Sequence, residues 1–362
     1  MTDEFYMKKA LALAKRGEGW VSPNPMVGAV IVKKDRIIGA GFHRRFGGDH
    51  AEINAIRNAT GPVAGATVYI TLEPCCHHGK TPPCVESLIA CKPGRVVIGM
   101  SDPNPLVCGG SIERLRREGI PTTVGILEPE CRRLNERFIK FMQTRVPFVT
   151  LKFAQTVDGR IATSTGHSRW ISSPPSLRFA HALRASHDAV LVGSGTVRQD
   201  DPELTVRLTG GRQPLRIVLD SRLNTPADAR ILKNQDRAKT LIATTTASSR
   251  KKAALFDKLG VEILRCSKDG PHRIDLKKLF LDLGKRDVSS ILVEGGAAVI
   301  TSVLKGKLAD RIVIVVAPKI VGRGVEAVLD LGIKTMDDAL TLSALRLRRR
   351  GGDFILDGRI NR

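Results

Sequence analysis

Short apolar runs alternate along the whole chain with segments whose apolar residues recur at helical spacing. The first helical segment is 5–16. The apolar run 27–32 and the segment 36–41 flank Lys34-Asp35, which predicts a β-hairpin. The pattern predicts further helices at 50–58, 82–90, 111–118 and 128–143, and further strands at 67–72, 95–100 and 122–126. Strands that alternate with helices are typical of a layered α/β domain.

The pattern restarts after Val146, where Pro147 begins a new apolar run. We therefore predict two domains, 1–146 and 147–362. The second is again α/β, with an Arg-rich edge strand at 344–350 in its closing hairpin. Its other predicted strands are 147–154, 189–192, 215–219, 240–244, 261–265, 290–293, 311–317 and 354–359, and its predicted helices are 176–185, 251–259, 275–283 and a segment ending near Leu304.

Composition narrows the class of protein. Apolar residues make up 42% and charged residues 26% of the 362 residues, which indicates a globular protein and excludes a disordered one. No apolar run is long enough to span a bilayer, so we expect no membrane partner. The N-terminal sequence lacks the basic-then-apolar layout of a secretory signal, so we expect a cytoplasmic protein.

The net charge of +22 favours negatively charged ligands. Such a charge attracts nucleic acid, but it attracts small phosphorylated molecules equally well. Aromatic residues make up only 4% of the chain, so few side chains are available for stacking on bases. Charge alone therefore does not decide between these two classes of ligand.

The cysteines indicate metal binding rather than a disulfide framework. There are seven in a long chain, an odd number at low density, and five of them lie within 75–108. His50-Ala51-Glu52 begins a predicted helix, Cys75 follows a predicted strand, and Cys84 begins the next predicted helix. This layout matches the His-x-Glu and Pro-Cys signature of zinc-dependent nucleobase deaminases.

The residue types indicate which side chains bind the metal and which one transfers the proton. One imidazole and two thiolates, from His50, Cys75 and Cys84, leave the fourth zinc position open for water. Glu52 is not needed as a ligand, and it lies close enough to move a proton between that water and a ring nitrogen. A structural zinc site is the alternative, because Cys76, His77 or His78 could supply a fourth ligand. The loop 76–83 is expected to cover the site, where Lys80 either binds a polar ligand or is a solvated surface lysine.

Several motifs resemble one known family, the bifunctional deaminase–reductases of riboflavin biosynthesis. The first half matches through VSPNPMVGAVIV, GFHRRFGGDHAE, TLEPCCHHGKTPPC and SDPNPLV. The second half matches through TLKFAQTVDGRIAT, DAVLVGSGTVRQDDPELTVR, PLRIVLD and VEGG. The resemblance implies a cytidine-deaminase-like three-layer α/β/α domain followed by a dihydrofolate-reductase-like α/β domain.

The resemblance also implies two reactions and two cofactors. The first is zinc-dependent hydrolysis of the 2-amino group of 2,5-diamino-6-(5-phosphoribosylamino)pyrimidin-4(3H)-one. The second is NADPH-dependent reduction of the ribosyl side chain of 5-amino-6-(5-phosphoribosylamino)uracil to ribityl. The partners would be these small phosphorylated pyrimidines and not nucleic acid, and we expect a homo-oligomer.

By the same resemblance, matching positions form three further sets. The deaminase substrate would contact Asn24, His43, His77, Lys80 and Asn104. The reductase substrate would contact Ser168, Arg184, Leu204, Arg207 and Glu294. NADPH would contact Ala154, Trp170, Thr196, Asp200, Ser221, Gly296, Ala297 and Ala298.

The residues themselves support these assignments unequally. Asn24 and Asn104 each lie between two prolines and are equally interpretable as turn residues. Arg184 and Arg207 suit a phosphate, because guanidinium binds phosphate through two parallel hydrogen bonds. No GxGxxG follows the first strand of the second domain, so a Rossmann site is not indicated. Lys152 and Asp158 are candidates for the acid of the reductase.

Two other functions remain open from the sequence. A tRNA adenosine deaminase with an appended α/β domain would use the same zinc chemistry and would explain the basic charge more directly. The long loop before Cys84 nevertheless suits a small substrate better than an extruded base. A non-catalytic zinc scaffold that binds nucleic acid by charge is the third hypothesis, and it predicts binding that weakens steeply with salt.

Overall fold

The computed structural model describes residues 1–76, 83–104, 108–270 and 273–361. The chain divides into two compact units, Met1–Arg145 and Val146–Arg362. Among the described residues, no helix combines the length and apolar character needed to cross a bilayer. Both units are α/β, as the sequence predicts.

In the described residues, the first unit forms a five-stranded sheet in the order β2-β1-β3-β4-β5. Strand β1 is antiparallel to β2 and β3, whereas β3, β4 and β5 are parallel. The strands are β1 (Gly28–Lys33), β2 (Arg36–Phe42), β3 (Thr67–Ile70), β4 (Arg95–Ile98) and β5 (Thr122–Val124). The helices are α1 (Asp3–Ala14), α2 (Ala51–Arg57), α3 (Cys84–Ala90), α4 (Gly110–Arg117), α5 (Glu128–Leu134) and α6 (Glu136–Thr144).

Two glycines let helices lie directly on this sheet. A Cβ atom on Gly28 of β1 would lie 2.1 Å from the carbonyl oxygen of Ala10 in α1. A Cβ atom on Gly41 of β2 would lie 2.3 Å from the amide nitrogen of Ala55 in α2. Only glycine permits this approach of strand to helix backbone. It fixes the position of α2, which carries the His-x-Glu motif.

The predicted helix 128–143 is wrong as one continuous element. The structure separates α5 from α6 at Asn135, which has φ −104° and ψ 20°. The side chain of Asn135 is buried and hydrogen-bonds to the backbone of Met26. A helical pattern in the sequence does not reveal such a distant partner. The predicted start of α3 also moves: Pro83 precedes Cys84 as the N-cap, and Pro82 is outside the described residues.

Within the described residues, the second unit forms a nine-stranded sheet in the order β11-β10-β9-β8-β12-β6-β13-β16-β15, and a small sheet of β7 and β14. The strands are β6 (Phe148–Thr156), β7 (Arg160–Thr163), β8 (Ala189–Gly193), β9 (Leu215–Leu219), β10 (Thr240–Thr244), β11 (Glu262–Arg265), β12 (Ser290–Val293), β13 (Arg311–Ala317), β14 (Gly324–Glu326), β15 (Leu342–Arg350) and β16 (Asp353–Ile360). The helices are α7 (Pro174–Ser186), α8 (Ser194–Asp200), α9 (Arg250–Lys258), α10 (Leu276–Gly284) and α11 (Ala297–Lys305).

Helices cover both faces of the central strands. Successive residues of a strand point to opposite faces, and Ile291 and Leu292 of β12 belong to different apolar clusters. Ile291 packs with α10 and α11, whereas Leu292 packs with Leu183 of α7. Because β6, β8 and β12 are parallel, their carboxyl ends lie at the same edge of the sheet. In open α/β sheets, ligands bind at that edge.

The short elements of this unit were not predicted from the sequence. Strands β7 and β14 are only four and three residues long, and helix α8 begins with Ser194-Gly195. Short strands give too few residues for an alternating pattern, and glycine near a helix start resembles a loop. The predicted edge strand is confirmed, because β15 is the last strand of the large sheet.

Candidate active sites

Three predicted metal ligands converge in the first unit. His50 lies immediately before α2, Cys75 lies in the segment after β3, and Cys84 is the first residue of α3. His50 Nδ1 is 3.2 Å from Cys84 Sγ and 3.6 Å from Cys75 Sγ, and the three ligand atoms all lie within 4.8 Å of one another. Two sulfurs and an imidazole nitrogen at this spacing fit a tetrahedral zinc ion with one open position.

The two thiols have different surroundings. The hydrogen bond from Cys84, with a further contribution from His50, lowers the pKa of Cys75 against the opposing effect of burial. The hydrogen bond to Cys75, together with burial, raises the pKa of Cys84. The backbone N–H of Cys84 also donates to Cys75 Sγ at 3.3 Å. Cys75 is therefore already stabilised as a thiolate, which is the form that binds metal.

Glu52 lies in the first turn of α2, beside this triad. Its side chain is 3% exposed, and its Oε2 has no hydrogen-bond partner among the described residues. Burial raises its pKa to about 7. A buried carboxylate oxygen without a partner is costly unless another group occupies the site. A water at the open metal position is a group that fits.

Asn24 and His43 lie next to the triad. The amide Nδ2 of Asn24 donates to His43 Nε2 at 3.3 Å, and His43 Nδ1 donates to the carbonyl of Asp49 at 3.0 Å. The His43 ring meets the His50 ring edge to face, with centroids 5.2 Å apart. Burial lowers the pKa of His43, which favours the neutral ring that this pattern requires. Two of the predicted substrate residues are thus brought to the metal ligands.

The remaining predicted residues of this pocket are described only in part. Asn104 donates its backbone N–H to Asp102 Oδ1 at 2.8 Å. His77 and Lys80 lie outside the described residues, as does His78.

Sequence reasoning missed Glu73, which organises the segment that carries Asn104. Its buried carboxylate accepts hydrogen bonds from Asp102 N, Gly109 N and Ser111 Oγ at 3.0–3.1 Å. These contacts tie both ends of the segment 102–109 to the segment that carries Cys75. The available signal was a charged residue directly after the predicted strand 67–72.

A buried ion cluster marks the second unit. Arg184 of α7 donates to both carboxylate oxygens of Glu294, at 2.6 and 2.9 Å, and Lys152 Nζ lies 3.9 Å from Glu294 Oε2. Burial alone would raise the pKa of Glu294, but the charges of Arg184 and Lys152 outweigh burial and lower it to about 2. Burial lowers the pKa of Lys152, against the opposing effect of Glu294.

Arg207 lies in a segment that approaches this cluster. Arg184 Nη1 donates to the carbonyl of Thr205 at 3.3 Å, and Arg207 N donates to Nδ1 of buried His181 at 2.9 Å. The Arg207 side chain pairs with Glu203 at 2.9 Å. Leu204, between Glu203 and Thr205 in the sequence, is buried and has a φ of +53°. His181 was not among the residues predicted from the sequence.

The other candidates of this unit lie in β6, in α8 and in the segments that connect the strands and helices. Ser168 Oγ donates to Asp200 Oδ1 at 3.1 Å. Trp170 is 67% exposed. Ala154 is in β6, and Ser221 follows β9 and accepts hydrogen bonds from Thr245. Asp158, a candidate acid, instead accepts from the backbone of Val321 and Gly322.

The Gly295-Gly296 turn, which has no side chains, leads directly into the N-terminus of α11. A Cβ on Gly295 would lie 3.1 Å from the backbone of Val192 and Gly193, so this turn lies against the end of β8. Gly296 N donates to Thr196 Oγ1 at 3.0 Å, and Ala297 and Ala298 begin α11. The small side chains of Ala297 and Ala298, together with the N–H groups of the first turn of α11, fit a dinucleotide phosphate.

Comparison with known proteins gives two family matches. Residues 1–100 match the cytidine and deoxycytidylate deaminase zinc-binding region, and residues 147–356 match the RibD C-terminal domain. The chain is 42% identical over 360 residues to the riboflavin biosynthesis protein RibD of Actinobacillus pleuropneumoniae, covering 99% of this chain and 95% of that protein. It is 40% identical over 372 residues to RibD of Escherichia coli K12, covering 98% and 99%.

Solved structures agree along the full length. A diaminohydroxyphosphoribosylaminopyrimidine deaminase/5-amino-6-(5-phosphoribosylamino)uracil reductase from Thermotoga maritima superposes with a TM-score of 0.86 at 38% identity, covering 99% of both chains. RibD of Acinetobacter baumannii gives a TM-score of 0.88 at 35% identity, also over 99% of both.

These matches confirm the expected cytidine-deaminase-like fold of the first unit and the expected reductase fold of the second. They also confirm an enzyme that uses zinc and NADPH. The alternative of a nucleic-acid deaminase is not favoured, because the RibD relatives match both parts of the chain. The chain belongs to the RibD family, the bifunctional enzymes of riboflavin biosynthesis that join a deaminase domain to a reductase domain.

Proposed function

We propose that residues 1–146 remove the 2-amino group of 2,5-diamino-6-(5-phosphoribosylamino)pyrimidin-4(3H)-one by hydrolysis. Residues 147–362 then reduce the ribosyl side chain of the resulting 5-amino-6-(5-phosphoribosylamino)uracil to ribityl with NADPH. The observation that carries the first step is the unpartnered, buried carboxylate oxygen of Glu52 beside a His-Cys-Cys triad.

In the deaminase, His50, Cys75 and Cys84 would hold zinc. When bound, the ion supplies the Lewis acidity that ionises a water near neutral pH. Glu52 would take the first proton of the water at Oε2 and pass it to the pyrimidine ring nitrogen. It would then take the second proton, from the hydroxyl group added to the ring carbon, and pass it to the amino group, which leaves as ammonia. Its raised pKa near neutrality suits a group that both accepts and donates.

The pyrimidine would be oriented by side chains around the triad. The Asn24 amide presents both a donor and an acceptor, which suits the edge of a pyrimidine. Neutral His43 fixes the orientation of that amide. Asn104, His77 and Lys80 complete the proposed set.

In the reductase, the hydride comes from NADPH, and the protein must supply a proton. Lys152 is the group we assign to that proton, because burial lowers its pKa and therefore favours release. Glu294 binds Lys152 and also fixes the guanidinium of Arg184. Arg184 is 13% exposed and engaged with Glu294 through two hydrogen bonds, whereas the Arg207 side chain is 39% exposed and pairs with Glu203 through Nη1. We therefore assign the substrate phosphate chiefly to Arg207, with Ser168 and Leu204 lining the site.

NADPH would lie along the strand ends of the second unit. Gly296, Ala297 and Ala298 would receive its phosphate groups at the start of α11, and Thr196 supports that turn through Gly296 N. Ala154, Trp170, Asp200 and Ser221 would line the remainder of the cofactor site. The cofactor carries the redox chemistry, so these residues need only position it.

Substitution of Glu52 tests the deaminase assignment. Glu52→Gln should keep zinc, because no ligand changes, and should lower ammonia release by about 10²–10⁴-fold, since the proton transfer is lost. The measurement is ammonia release from the diaminopyrimidine nucleotide, with zinc content from atomic spectroscopy and products identified by mass. NADPH oxidation on the uracil nucleotide should not change.

Glu86→Gln in α3 is the matched control, because Glu86 is solvent-accessible and pairs with Arg114. It should release ammonia at the wild-type rate. If Glu52→Gln turns over as fast as Glu86→Gln does, the proposed role of Glu52 is wrong.

We also propose a homo-oligomeric, cytoplasmic enzyme that does not bind nucleic acid. An apolar face on the outer strands of the second unit supports self-association. Leu347 lies opposite Leu356, which lies opposite Ile314, so the three share one sheet face. Leu347 is 65% exposed, and Phe354 on the same face is 46% exposed. Exposed apolar patches of this kind are typical of protein interfaces.

Light scattering on a size-exclusion column tests the oligomer. Leu347→Glu should reduce the mass towards that of a single chain of 39.3 kDa, because a charge in the interface is left without a partner. Leu255→Glu on α9, where the side chain is also exposed, is the control. Equal masses for wild type and Leu347→Glu would exclude this face as the interface.

A further inference from the structure

The residue at the break between α5 and α6, Asn135, contacts the segment that carries Asn24 of the proposed substrate pocket. Asn135 is 2% exposed. Its Oδ1 accepts from Met26 N at 2.8 Å, and its Nδ2 donates to Met26 O at 3.0 Å. One side chain thus satisfies both backbone groups of a residue 109 positions away in the chain.

Met26 ends the segment that carries Asn24. Asn24 is flanked by Pro23 and Pro25, and its backbone N–H donates to Val21 O at 2.9 Å. Proline fixes φ, so the segment has few ways to adjust when one end moves. The contact between Met26 and Asn135 therefore holds one end of the segment that carries the Asn24 amide.

The path continues to the metal ligands. Asn24 Nδ2 donates to His43 Nε2 at 3.3 Å, and the His43 ring lies edge to face against the ring of His50. Each step is a hydrogen bond or a ring contact. A shift at Met26 is thus transmitted to Asn24, the residue assigned to the pyrimidine edge.

We propose that Asn135 is a positioning residue of the deaminase, which acts on the substrate through Met26 and Asn24. This inference rests on the proposed function of the first unit. Asn135 is the N-cap residue of α6, but its side chain makes no cap hydrogen bond there, so its amide is not used to stabilise the start of that helix. Its amide instead supplies the one donor and one acceptor that the Met26 backbone needs.

The test uses two variants of the full chain loaded with zinc. Asn135→Asp has the same shape and still accepts from Met26 N, but it cannot donate to Met26 O. Since small misplacements of a positioning group cost up to about 10²-fold, we expect kcat/KM for ammonia release to fall about 10- to 100-fold. The loss should lie mainly in KM, because Glu52 and the zinc ligands are unchanged. Asn135→Gln keeps both amide groups and should recover part of the loss.

A double-mutant comparison separates positioning from a general loss of stability. In an Asn24→Ala background, Asn135→Asp should change kcat/KM less than twofold, because the group it positions is already absent. Ile112→Val, a buried substitution in α4, is the stability control and should leave KM unchanged. Equal effects of Asn135→Asp in both backgrounds, or an unchanged kcat/KM, would overturn the proposal.

Hydrogen exchange provides a readout independent of activity. The amide of Met26 should exchange faster in Asn135→Leu, which lacks the acceptor for Met26 N, than in wild type or Ile112→Val, as measured by mass spectrometry on peptides that cover 18–30. Unchanged exchange there would refute the contact that the proposal needs. If wild type itself releases no ammonia from the nucleotide, the proposed function fails, and the exchange result still decides whether Asn135 holds Met26.

Discussion

Neutralising Glu294 by Glu294→Gln tests how the buried charges of the reductase unit are balanced. Glu294 accepts two short hydrogen bonds from Arg184, and it lies 3.9 Å from Lys152 Nζ. All three side chains are at most 13% exposed. Glutamine keeps the shape of the side chain but leaves two cations without a counter-charge.

The expected destabilisation follows from this geometry. Removing one partner of a buried ion pair costs about 3–5 kcal/mol, because the remaining charge stays desolvated. In a domain of about 150–250 residues, each kcal/mol lowers Tm by about 2–4 °C. The second unit should therefore unfold about 6–20 °C below wild type. NADPH oxidation should be lost, while ammonia release by the first unit persists.

The effect should depend on pH with a definite sign. The pKa of Glu294 is about 2 in the folded chain and 4.5 for an ordinary glutamate. Because the folded-state pKa is lowered, the stabilisation is fully present above about pH 4.5 and is lost as the pH falls towards 2. The difference in stability between wild type and Glu294→Gln should therefore shrink over that interval.

Thermal and urea unfolding of the full chain, followed by circular dichroism, measure these differences. Asp282→Asn is the control, since Asp282 pairs with Lys285 at 3.0 Å on the surface of the same unit. Exposed pairs contribute about 0–1 kcal/mol, so its Tm should change little. Adding Lys152→Met to Glu294→Gln should recover part of the stability. If Glu294→Gln costs no more than Asp282→Asn, the reasoning about buried charge is refuted.

Two further predictions concern packing and substrate binding. Gly41→Ala should destabilise the first unit strongly, because its Cβ would lie 2.3 Å from Ala55 N and 2.5 Å from Ala51 O, which are backbone atoms that cannot move aside; an unchanged Tm by calorimetry would contradict this. Arg207→Gln should raise the reductase KM by about tenfold or more for the phosphorylated substrate and much less for its dephosphorylated form, because a charged hydrogen-bonding pair is worth about 1.5–3 kcal/mol. Equal changes in both KM values, measured by NADPH oxidation, would remove Arg207 from the phosphate site.

The zinc triad was predictable from the sequence because its chemistry restricts both residue type and spacing. His50 and Glu52 share one helix start, and Cys84 begins the next helix, so local pattern alone placed these residues. Most strands of both units were predictable for a similar reason, since buried parallel strands are continuous apolar runs.

What the sequence could not predict depends on contacts between distant positions. Asn135 lies where the helical pattern is interrupted, and its side chain hydrogen-bonds to Met26. The carboxylate of Glu73 accepts a hydrogen bond from the backbone of Asp102. The partner of Arg184 is Glu294, 110 positions away, although the sequence suggested a phosphate. In each case, local periodicity carries no information about the partner, and only the fold supplies it.

Glu52 and Glu294 both have buried carboxylates, but their surroundings suit them to different roles. Glu294 is surrounded by cations and has a pKa of about 2, so it stays ionised and holds its neighbours in place. Glu52 has one oxygen without a partner in the described part of the chain, and burial raises its pKa to about 7. A satisfied carboxylate is suited to orienting other groups, whereas an unsatisfied one near neutrality is suited to exchanging a proton. The surroundings of each carboxylate, rather than its burial, therefore separate the positioning role from the proton-transfer role.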